Sequence, residues 1–255
     1  MVDDGVQSDE SALLLLSHAV ESKIALIFMT PHIINKGKYF SSKIDLEKNL
    51  EYLRKQAKAA SIDIELKLSC EIMMNEDGLK YIQDQDYWGY QDTNYVLIEF
   101  MPPFDEVLIT ESLYELHRQG QRAIIAHPER YFSDPKIAIK TVKVWKNLGA
   151  SFQVNKTSLF VSPKASTREV ALALIEHNLI SIIATDAHHA PGRRECRLLE
   201  AHQELIRLFD QKTADLLCMD NPTHLSRNEA FESTSIAQGW FSTHLRHLRF
   251  KRKPY

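Results

Sequence analysis

The sequence predicts an α/β protein in which parallel strands alternate with helices around one sheet. Six short apolar runs recur along the chain, and each is followed by a polar residue. Most of these runs are separated by a segment of helical length, and the polar residues from Glu71 to Gln153 recur about one strand-plus-helix unit apart. Alternation of this kind favours a parallel sheet, which is either open and doubly wound or closed into a barrel.

Composition bounds the class of protein. The chain has 255 residues, of which 44% are hydrophobic and 25% charged, enough to bury one large core. A net charge of −3 and a pI near 6.4 provide no basic field, so nucleic acid is not an expected partner. The three cysteines are odd in number and far apart, which suits a reducing compartment. No signal peptide or membrane span is evident, and we expect a cytoplasmic protein.

The individual elements are predicted from apolar periodicity and from helix end signals. Strands are predicted at residues 24–29, 62–70, 95–98, 122–126, 150–154 and 179–184. Helices are predicted at residues 8–22, 43–60, 78–85, 106–119, 136–148, 167–178, 194–210 and 213–219, and a turn at residues 221–223 leads into a final short helix. Ser8 has the side chain of an N-cap, and Gly120 and Gly149 stand where helices end.

Residues able to bind metal ions follow the predicted strands. In the stretch Arg-Ala-Ile-Ile-Ala-His-Pro-Glu-Arg-Tyr at 122–131, an apolar run changes directly to His127, Glu129 and Arg130. A single histidine in such a place is more often a hydrogen-bonding residue than a ligand. A carboxylate at the buried end of a strand, however, requires a cation or hydrogen-bond donors. The candidates that share this position are His32, Glu71, Glu99, His127, Asp186 and His188.

These candidates are predicted to converge, because the carboxyl ends of parallel strands meet at one rim. Imidazoles and carboxylates without thiolates suit Mn, Fe or Zn in a multinuclear hydrolytic centre. Two metal ions can lower the pKa of bound water to about 7 and polarise a phosphoryl oxygen. Arg130 and Arg193, three and five residues after His127 and His188, are placed to bind phosphate. Solvated surface arginines are the alternative interpretation.

Other hydrolytic chemistries lack their motifs. A cysteine phosphatase has an arginine six positions after its cysteine, whereas Glu76, His202 and His224 occupy those positions here. The chain contains neither the G-x-S-x-G motif of serine hydrolases nor a P-loop. A metal-dependent hydrolase is therefore favoured.

Five motifs together resemble the polymerase-and-histidinol-phosphatase (PHP) superfamily. They are Thr-Pro-His at 30–32, Cys-Glu-Ile at 70–72, Leu-Ile-Glu-Phe at 97–100, Ala-His-Pro-Glu-Arg at 126–130 and Thr-Asp-Ala-His at 185–188. More narrowly, from about residue 3 to residue 231 the chain resembles the manganese-dependent tyrosine phosphatases of bacterial capsule and exopolysaccharide operons. The resemblance implies a distorted (β/α)7 barrel with up to three Mn ions, or Fe, Co or Zn in their place.

The resemblance also assigns roles by position. The implied ligand groups are Glu99 with His127, Glu71 bridging to a second ion held with Asp186, and Asp4 with His32 and His188. Arg130 and Arg193 correspond to phosphate-binding arginines. The implied substrate is phosphotyrosine on a partner tyrosine autokinase that controls polysaccharide export.

Relatives of this kind carry a strand with a His-x-His motif shortly before the Asp-Asp-Gly found here at 3–5. The sequence starts too late to include that strand, so the first strand and two ligands are expected to be missing. Either the start is set at an internal codon or the protein is truncated. On this expectation, the chain binds its metals incompletely and has weak or absent activity.

Two alternatives remain open: another PHP phosphoesterase acting on a small phosphate monoester such as histidinol phosphate, and a catalytically inert homologue that docks on the kinase.

The phosphatase domain is predicted at residues 1–232 and a basic, aromatic tail at residues 233–255. Phe241, Leu245 and Leu248 have helical spacing, so the tail is either a peripheral contact with an anionic membrane or a solvated segment. The sequence leaves open whether the chain is a monomer or an oligomer.

Overall fold

The fold is α/β with parallel strands, as the sequence predicts. The computed structural model describes residues 3–34, 39, 41–160, 165–192 and 194–236. The strands within these residues are β1 (Leu26–Met29), β2 (His32–Ile33), β3 (Glu65–Leu68), β4 (Glu71–Met73), β5 (Tyr95–Glu99), β6 (Arg122–Ala126), β7 (Ser151–Asn155) and β8 (Ile182–Ala184). A 2-stranded sheet pairs β1 with β3, and a 6-stranded sheet has the order β2-β4-β5-β6-β7-β8.

Helices connect most of these strands. They are α1 (Asp9–Glu21), α2 (Lys43–Ala59), α3 (Glu76–Asp84), α4 (Glu106–Arg118), α5 (Pro135–Asn147), α6 (Ala165–Glu176), α7 (Leu199–Leu208), α8 (Gln211–Asp215) and α9 (Asn221–Ser226). The predicted N-cap is confirmed, because Ser8 Oγ accepts a hydrogen bond from Ser11 N at 3.2 Å. Gly120 and Gly149 follow α4 and α5 with φ of +73° and +94°, the left-handed conformation that glycine adopts without strain.

Side-chain packing joins the two sheets. Leu97 of β5, Ile124 of β6 and Ile182 of β8 meet in one buried cluster, against which Phe28 of β1 packs. Side chains that alternate with these, such as Ile98, point instead into the larger core. Within the described residues, no pairing joins the edge strands β2 and β8. Closure into a distorted (β/α)7 barrel therefore stays a prediction.

The strand predicted at residues 62–70 is confirmed as β3 at Glu65–Leu68, but Glu71 does not follow it directly and belongs to a separate strand, β4. Ser69 N donates to Met29 O at 2.8 Å, and Glu71 N donates to Pro31 O at 3.0 Å. Pro31 lacks an N–H and separates β1 from β2. The neighbouring strands β3 and β4 are separated at the same level. Glu71 consequently opens β4 instead of following a strand.

The turn predicted at residues 221–223 is also wrong. These residues form the first turn of α9, and a π-helical turn at Leu216–Asp220 joins that helix to α8. Pro222 is tolerated because it lies near the start of α9, where its missing N–H breaks no bond of that helix. The composition indicated a break where the chain stays helical.

The described chain remains attached to the domain as far as Ile236. Thr234 and Ile236 are buried, and Ile236 N donates to Asn178 Oδ1 at 3.0 Å. The domain boundary between residues 232 and 233 stays a prediction. The helical face predicted at Phe241, Leu245 and Leu248 lies outside the described residues. Among the described helices, none has the length and apolar character needed to cross a membrane.

Asn221 joins α9 to the sheet and to the C-terminal segment, and we expect its truncation to destabilise the fold. Its fully buried Nδ2 donates to Ser181 O at 2.8 Å and Glu232 O at 2.9 Å, and its Oδ1 accepts from Glu232 N at 2.8 Å. Asn221→Ala leaves these groups without partners, so the free energy of unfolding should fall by about 2 kcal/mol or more. Urea denaturation measures the change. Thr223→Ala, at an exposed site on the same helix, is the control and should change it by less than about 0.5 kcal/mol.

Candidate metal centre

Three predicted ligands meet where β4, β5 and β6 lie side by side. His127 follows β6, and its Nε2 lies 2.9 Å from Glu71 Oε1 at the start of β4. The same nitrogen lies 3.5 Å from Glu99 Oε1 at the end of β5. His127 and Glu71 are only 2% and 5% exposed. The start of β4 and the ends of β5 and β6 therefore bring together one imidazole and two carboxylates that the sequence selects as candidates.

The backbone at His127 explains how this side chain is aimed. Its φ of +32° is left-handed, a conformation that costs energy in a residue other than glycine. The reversal ends β6 and starts a 3₁₀ turn at Pro128–Arg130, which Arg130 N closes by donating to His127 O at 3.0 Å. Asp186, two residues after β8, also has a positive φ of +48°. Backbone strain thus occurs at two predicted ligands.

A second group of predicted ligands forms beside the first. Asp4 Oδ1 lies 3.6 Å from His32 Nε2 and 3.6 Å from His188 Nε2. The other nitrogen of His32, Nδ1, is 4.0 Å from Glu71 Oε2, so His32 lies between the two groups. Asp3 fixes the approach of the N-terminal segment, since its Oδ2 accepts from His32 N at 2.9 Å.

Asp186 is held mainly by cations and an amide. Arg130 Nη2 donates to its Oδ2 at 2.9 Å, and Arg194 Nη2 donates to its Oδ1 at 2.7 Å. Asn155 Nδ2 adds a bond to Oδ2 at 2.6 Å. Burial opposes ionisation of Asp186, but the two arginines outweigh it and hold the pKa of this carboxyl below its ordinary value. The implied sharing of a metal ion between Asp186 and Glu71 stays a prediction.

The chemistry of the first group fits a bound cation. His127 Nε2 carries at most one hydrogen, so it cannot donate to both Glu71 and Glu99. Burial raises the pKa of Glu99, the carboxylate left with the longer contact. His32, Glu71 and Glu99 offer ligand atoms that all lie within 4.8 Å of one another, and so do Asp4, His32 and His188. Nitrogen and carboxylate ligands in this arrangement suit Mn, Fe or Zn.

The arginines differ from the prediction in one respect. Arg130 lies at the rim with its side chain 38% exposed, where it can meet a phosphate. Arg193 lies outside the described residues. Its neighbour Arg194, which the sequence analysis did not select, contacts Asp186 and also lies 2.9 Å from His188 Nε2. The Arg-Arg pair at 193–194 was the only signal in the sequence, and it does not say which arginine faces Asp186.

The helix predicted to start at residue 194 begins instead at Leu199. The Arg194 carbonyl accepts from His188 N at 2.9 Å, which closes the chain into a loop. This loop is fixed at its base by Lys156, whose buried Nζ donates to Arg197 O at 2.8 Å. The residues after Asp186 are therefore held near the metal ligands by loop contacts that apolar periodicity does not reveal.

Sequence analysis also missed supporting residues near the ligands. Glu129 is fully buried, and its Oε1 accepts from Asn155 N at 3.1 Å and Ser158 Oγ at 2.7 Å. Tyr131 donates through its hydroxyl to Ala126 O at 2.8 Å. Both residues lie close to His127 in the 122–131 stretch, but closeness in the sequence does not show which atoms they contact.

The fold and this site define an α/β protein with a histidine and carboxylate centre of the kind that binds metal ions. The chain belongs to the CpsB/CapC family of capsular polysaccharide synthesis, whose family model matches residues 1–227. The predicted resemblance is confirmed at the level of the family.

Individual relatives are similar over most of their length. CapC of Staphylococcus aureus is 30% identical over 198 residues, which cover 75% of this chain and 74% of that protein. Tyrosine-protein phosphatase CpsB of Streptococcus pneumoniae is 26% identical over 226 residues, 87% and 92% of the two chains.

A solved structure has the same fold. It comes from a crystallographic description of YwqE from Bacillus subtilis and CpsB from Streptococcus pneumoniae as metal-dependent tyrosine phosphatases. It matches with a TM-score of 0.80 and 26% identity, and the match covers 91% of this chain and 93% of that one. The roles of individual ligands in this chain stay predictions.

Proposed function

We propose that this protein is a metal-dependent phosphatase that hydrolyses phosphotyrosine on a bacterial tyrosine autokinase and so regulates capsular or exopolysaccharide synthesis. The observation that carries the proposal is the buried contact of His127 with Glu71 and Glu99 beside the exposed guanidinium of Arg130. Family membership supports the capsular role, and the names of the relatives support the tyrosine phosphatase activity.

We assign the ligands as the residues whose side chains converge. Up to three Mn ions, with Fe, Co or Zn as substitutes, are held by Asp4, His32, Glu71, Glu99, His127, Asp186 and His188. Bound metal ions supply Lewis acidity toward the phosphoryl group. The chain itself supplies the fixed positions of these ligands, because four of the seven lie in or directly beside strands of one sheet.

Arg130 is assigned to the substrate phosphate. One of its terminal nitrogens donates to Asp186, which fixes the guanidinium plane, and the half-exposed remainder is free to donate to phosphate oxygens. Arg193 is proposed as the second phosphate contact. The pair would orient the phosphate ester against the ligand cluster.

The partner and compartment follow from the same proposal. The partner is the phosphorylated kinase, and the compartment is the cytoplasm, which suits three cysteines that are all buried and unpaired. An apolar or basic contact with a membrane through residues 233–255 stays a prediction, as does oligomer formation.

Substrate profiling tests the proposal. The purified chain with Mn²⁺ should release phosphate from a phosphotyrosyl peptide faster than from the matched phosphoseryl peptide or from histidinol phosphate. EDTA should stop the reaction, and Mn²⁺ added in excess should restore it. Faster turnover of histidinol phosphate would favour a small-molecule phosphoesterase. No turnover of any substrate would overturn the proposed activity of this chain, in keeping with incomplete metal binding or with an inert docking protein.

A further inference from the structure

Tyr131 ends the turn that follows His127, and its hydroxyl lies between two strand ends. The oxygen accepts a hydrogen bond from Phe100 N at 3.0 Å and donates to Ala126 O at 2.8 Å. Phe100 directly follows Glu99, and Ala126 directly precedes His127. One side-chain oxygen therefore joins the backbones next to two of the proposed metal ligands.

The hydroxyl acts where the backbone ladder stops. The pairing of β5 with β6 runs from Tyr95 and Arg122 to Ile98 and Ile125. Beyond that pair the register of the two strands ends, and the Tyr131 hydroxyl supplies the next link between the segments that carry Glu99 and His127.

Packing leaves the Tyr131 ring little freedom to move. Its centroid lies 5.5 Å from that of Phe104 and 6.4 Å from that of Trp145, and the edge contact with the His127 ring is 6.1 Å. Aromatic contacts at these separations fix the plane of the ring. The hydroxyl is consequently held in place by contacts other than the bonds it makes.

Glu129 makes the corresponding link on the other side of β6. The β6–β7 pairing ends at Ala126 and Gln153, and Glu129 Oε1 then binds Asn155 N and Ser158 Oγ beyond it. The turn after His127 thus ties β6 to β5 through Tyr131 and to β7 through Glu129. The strained backbone of His127 is held from both sides.

We propose that Tyr131 is a positioning residue for the metal centre, and that its hydroxyl fixes Glu99 and His127 at the separation required for metal binding. The inference rests on the proposed function, because it assumes that these two residues are ligands. It adds that the affinity for metal depends on a side chain that touches neither the metal nor the substrate.

Tyr131→Phe removes the hydroxyl and keeps the ring, so it isolates this link. Isothermal titration of the EDTA-treated full chain with MnCl₂ should show affinity about 10-fold weaker than that of the unsubstituted protein, the scale on which partners of ligands act. Phosphatase activity at saturating Mn²⁺ should recover most of its value, since the substrate contacts are unchanged.

Tyr95→Phe is a matched control at the opposite end of β5. Tyr95 is buried, and its hydroxyl also donates to a backbone carbonyl, Glu229 O at 2.7 Å. Both variants should lower the thermal midpoint, but only Tyr131→Phe should weaken Mn²⁺ binding. If Tyr131→Phe does not accumulate as folded protein, Ser158→Ala loosens the same turn from the Glu129 side and should also weaken binding.

The outcomes separate the two proposals. Equal Mn²⁺ affinity of Tyr131→Phe and the unsubstituted chain would overturn the positioning role while leaving the metal centre in place. Equal weakening by Tyr95→Phe would show that any loss of stability lowers affinity, and would also overturn it. Failure of the unsubstituted chain to bind Mn²⁺ would overturn the proposed metal centre, and the positioning role with it.

Discussion

Glu71→Gln should lower Mn²⁺-dependent phosphatase activity by at least about 100-fold. Loss of a residue that only supports a metal ligand costs up to about 100-fold, and Glu71 is itself a proposed ligand. Glu71 belongs to the group with His127 and Glu99, and it also approaches His32 of the second group. Its two oxygens face His127 Nε2 at 2.9 Å and His32 Nδ1 at 4.0 Å. Glutamine keeps the shape but replaces one oxygen with an NH₂ group that cannot bind a cation, so the group of His127, Glu71 and Glu99 loses a ligand atom and His32 loses its approach to a carboxylate.

The readouts for Glu71→Gln are metal content and kcat/KM on a phosphotyrosyl peptide. The thermal midpoint of the metal-free protein is measured alongside, so that loss of metal is distinguished from loss of fold. Glu204→Gln is the control, since that half-buried carboxylate of α7 pairs with Arg207 on the same helix and with Arg168 on α6. Full metal content in Glu71→Gln would contradict the assignment.

The sequence predicted the fold class because strand and helix periodicity are local properties. Ser8, Gly120 and Gly149 mark helix ends by their own conformational preferences, and the structure confirms all three. Two predictions failed for a different reason: that Glu71 directly follows the strand at residues 62–70, and that residues 221–223 form a turn. Whether a strand changes partner, or whether Pro222 begins a helix, depends on residues distant in sequence.

The candidate site was predictable where ligands follow strands, as at Glu99 and His127. Convergence of Asp4 with His188 was expected only from the family resemblance, because no local pattern relates residues so far apart. The contacts of Arg194 and Glu129 could not be predicted at all. They depend on how loops close at the rim, and apolar periodicity contains no information about that.

Arg130→Lys should lower kcat/KM for a phosphotyrosyl peptide by about 100-fold or more while leaving Mn²⁺ binding unchanged. The guanidinium of Arg130 holds Asp186 with one terminal nitrogen and keeps other donors for phosphate. A lysine ammonium is a point charge without this planar fork, so it cannot hold the carboxylate and align the phosphate together. Loss of one preorganised donor costs about 10²–10³ in rate.

Arg118→Lys is the matched control, because the Arg118 guanidinium also pairs with a carboxylate, donating two hydrogen bonds to Glu115 on α4 away from the site. It should leave kcat/KM unchanged. The decisive comparison is between turnover and metal affinity in Arg130→Lys. If the two fall by the same factor, Arg130 acts by holding Asp186 and not by binding phosphate. If turnover falls alone, the guanidinium acts on the substrate. Glu71 then contributes to metal binding and Arg130 to phosphate binding.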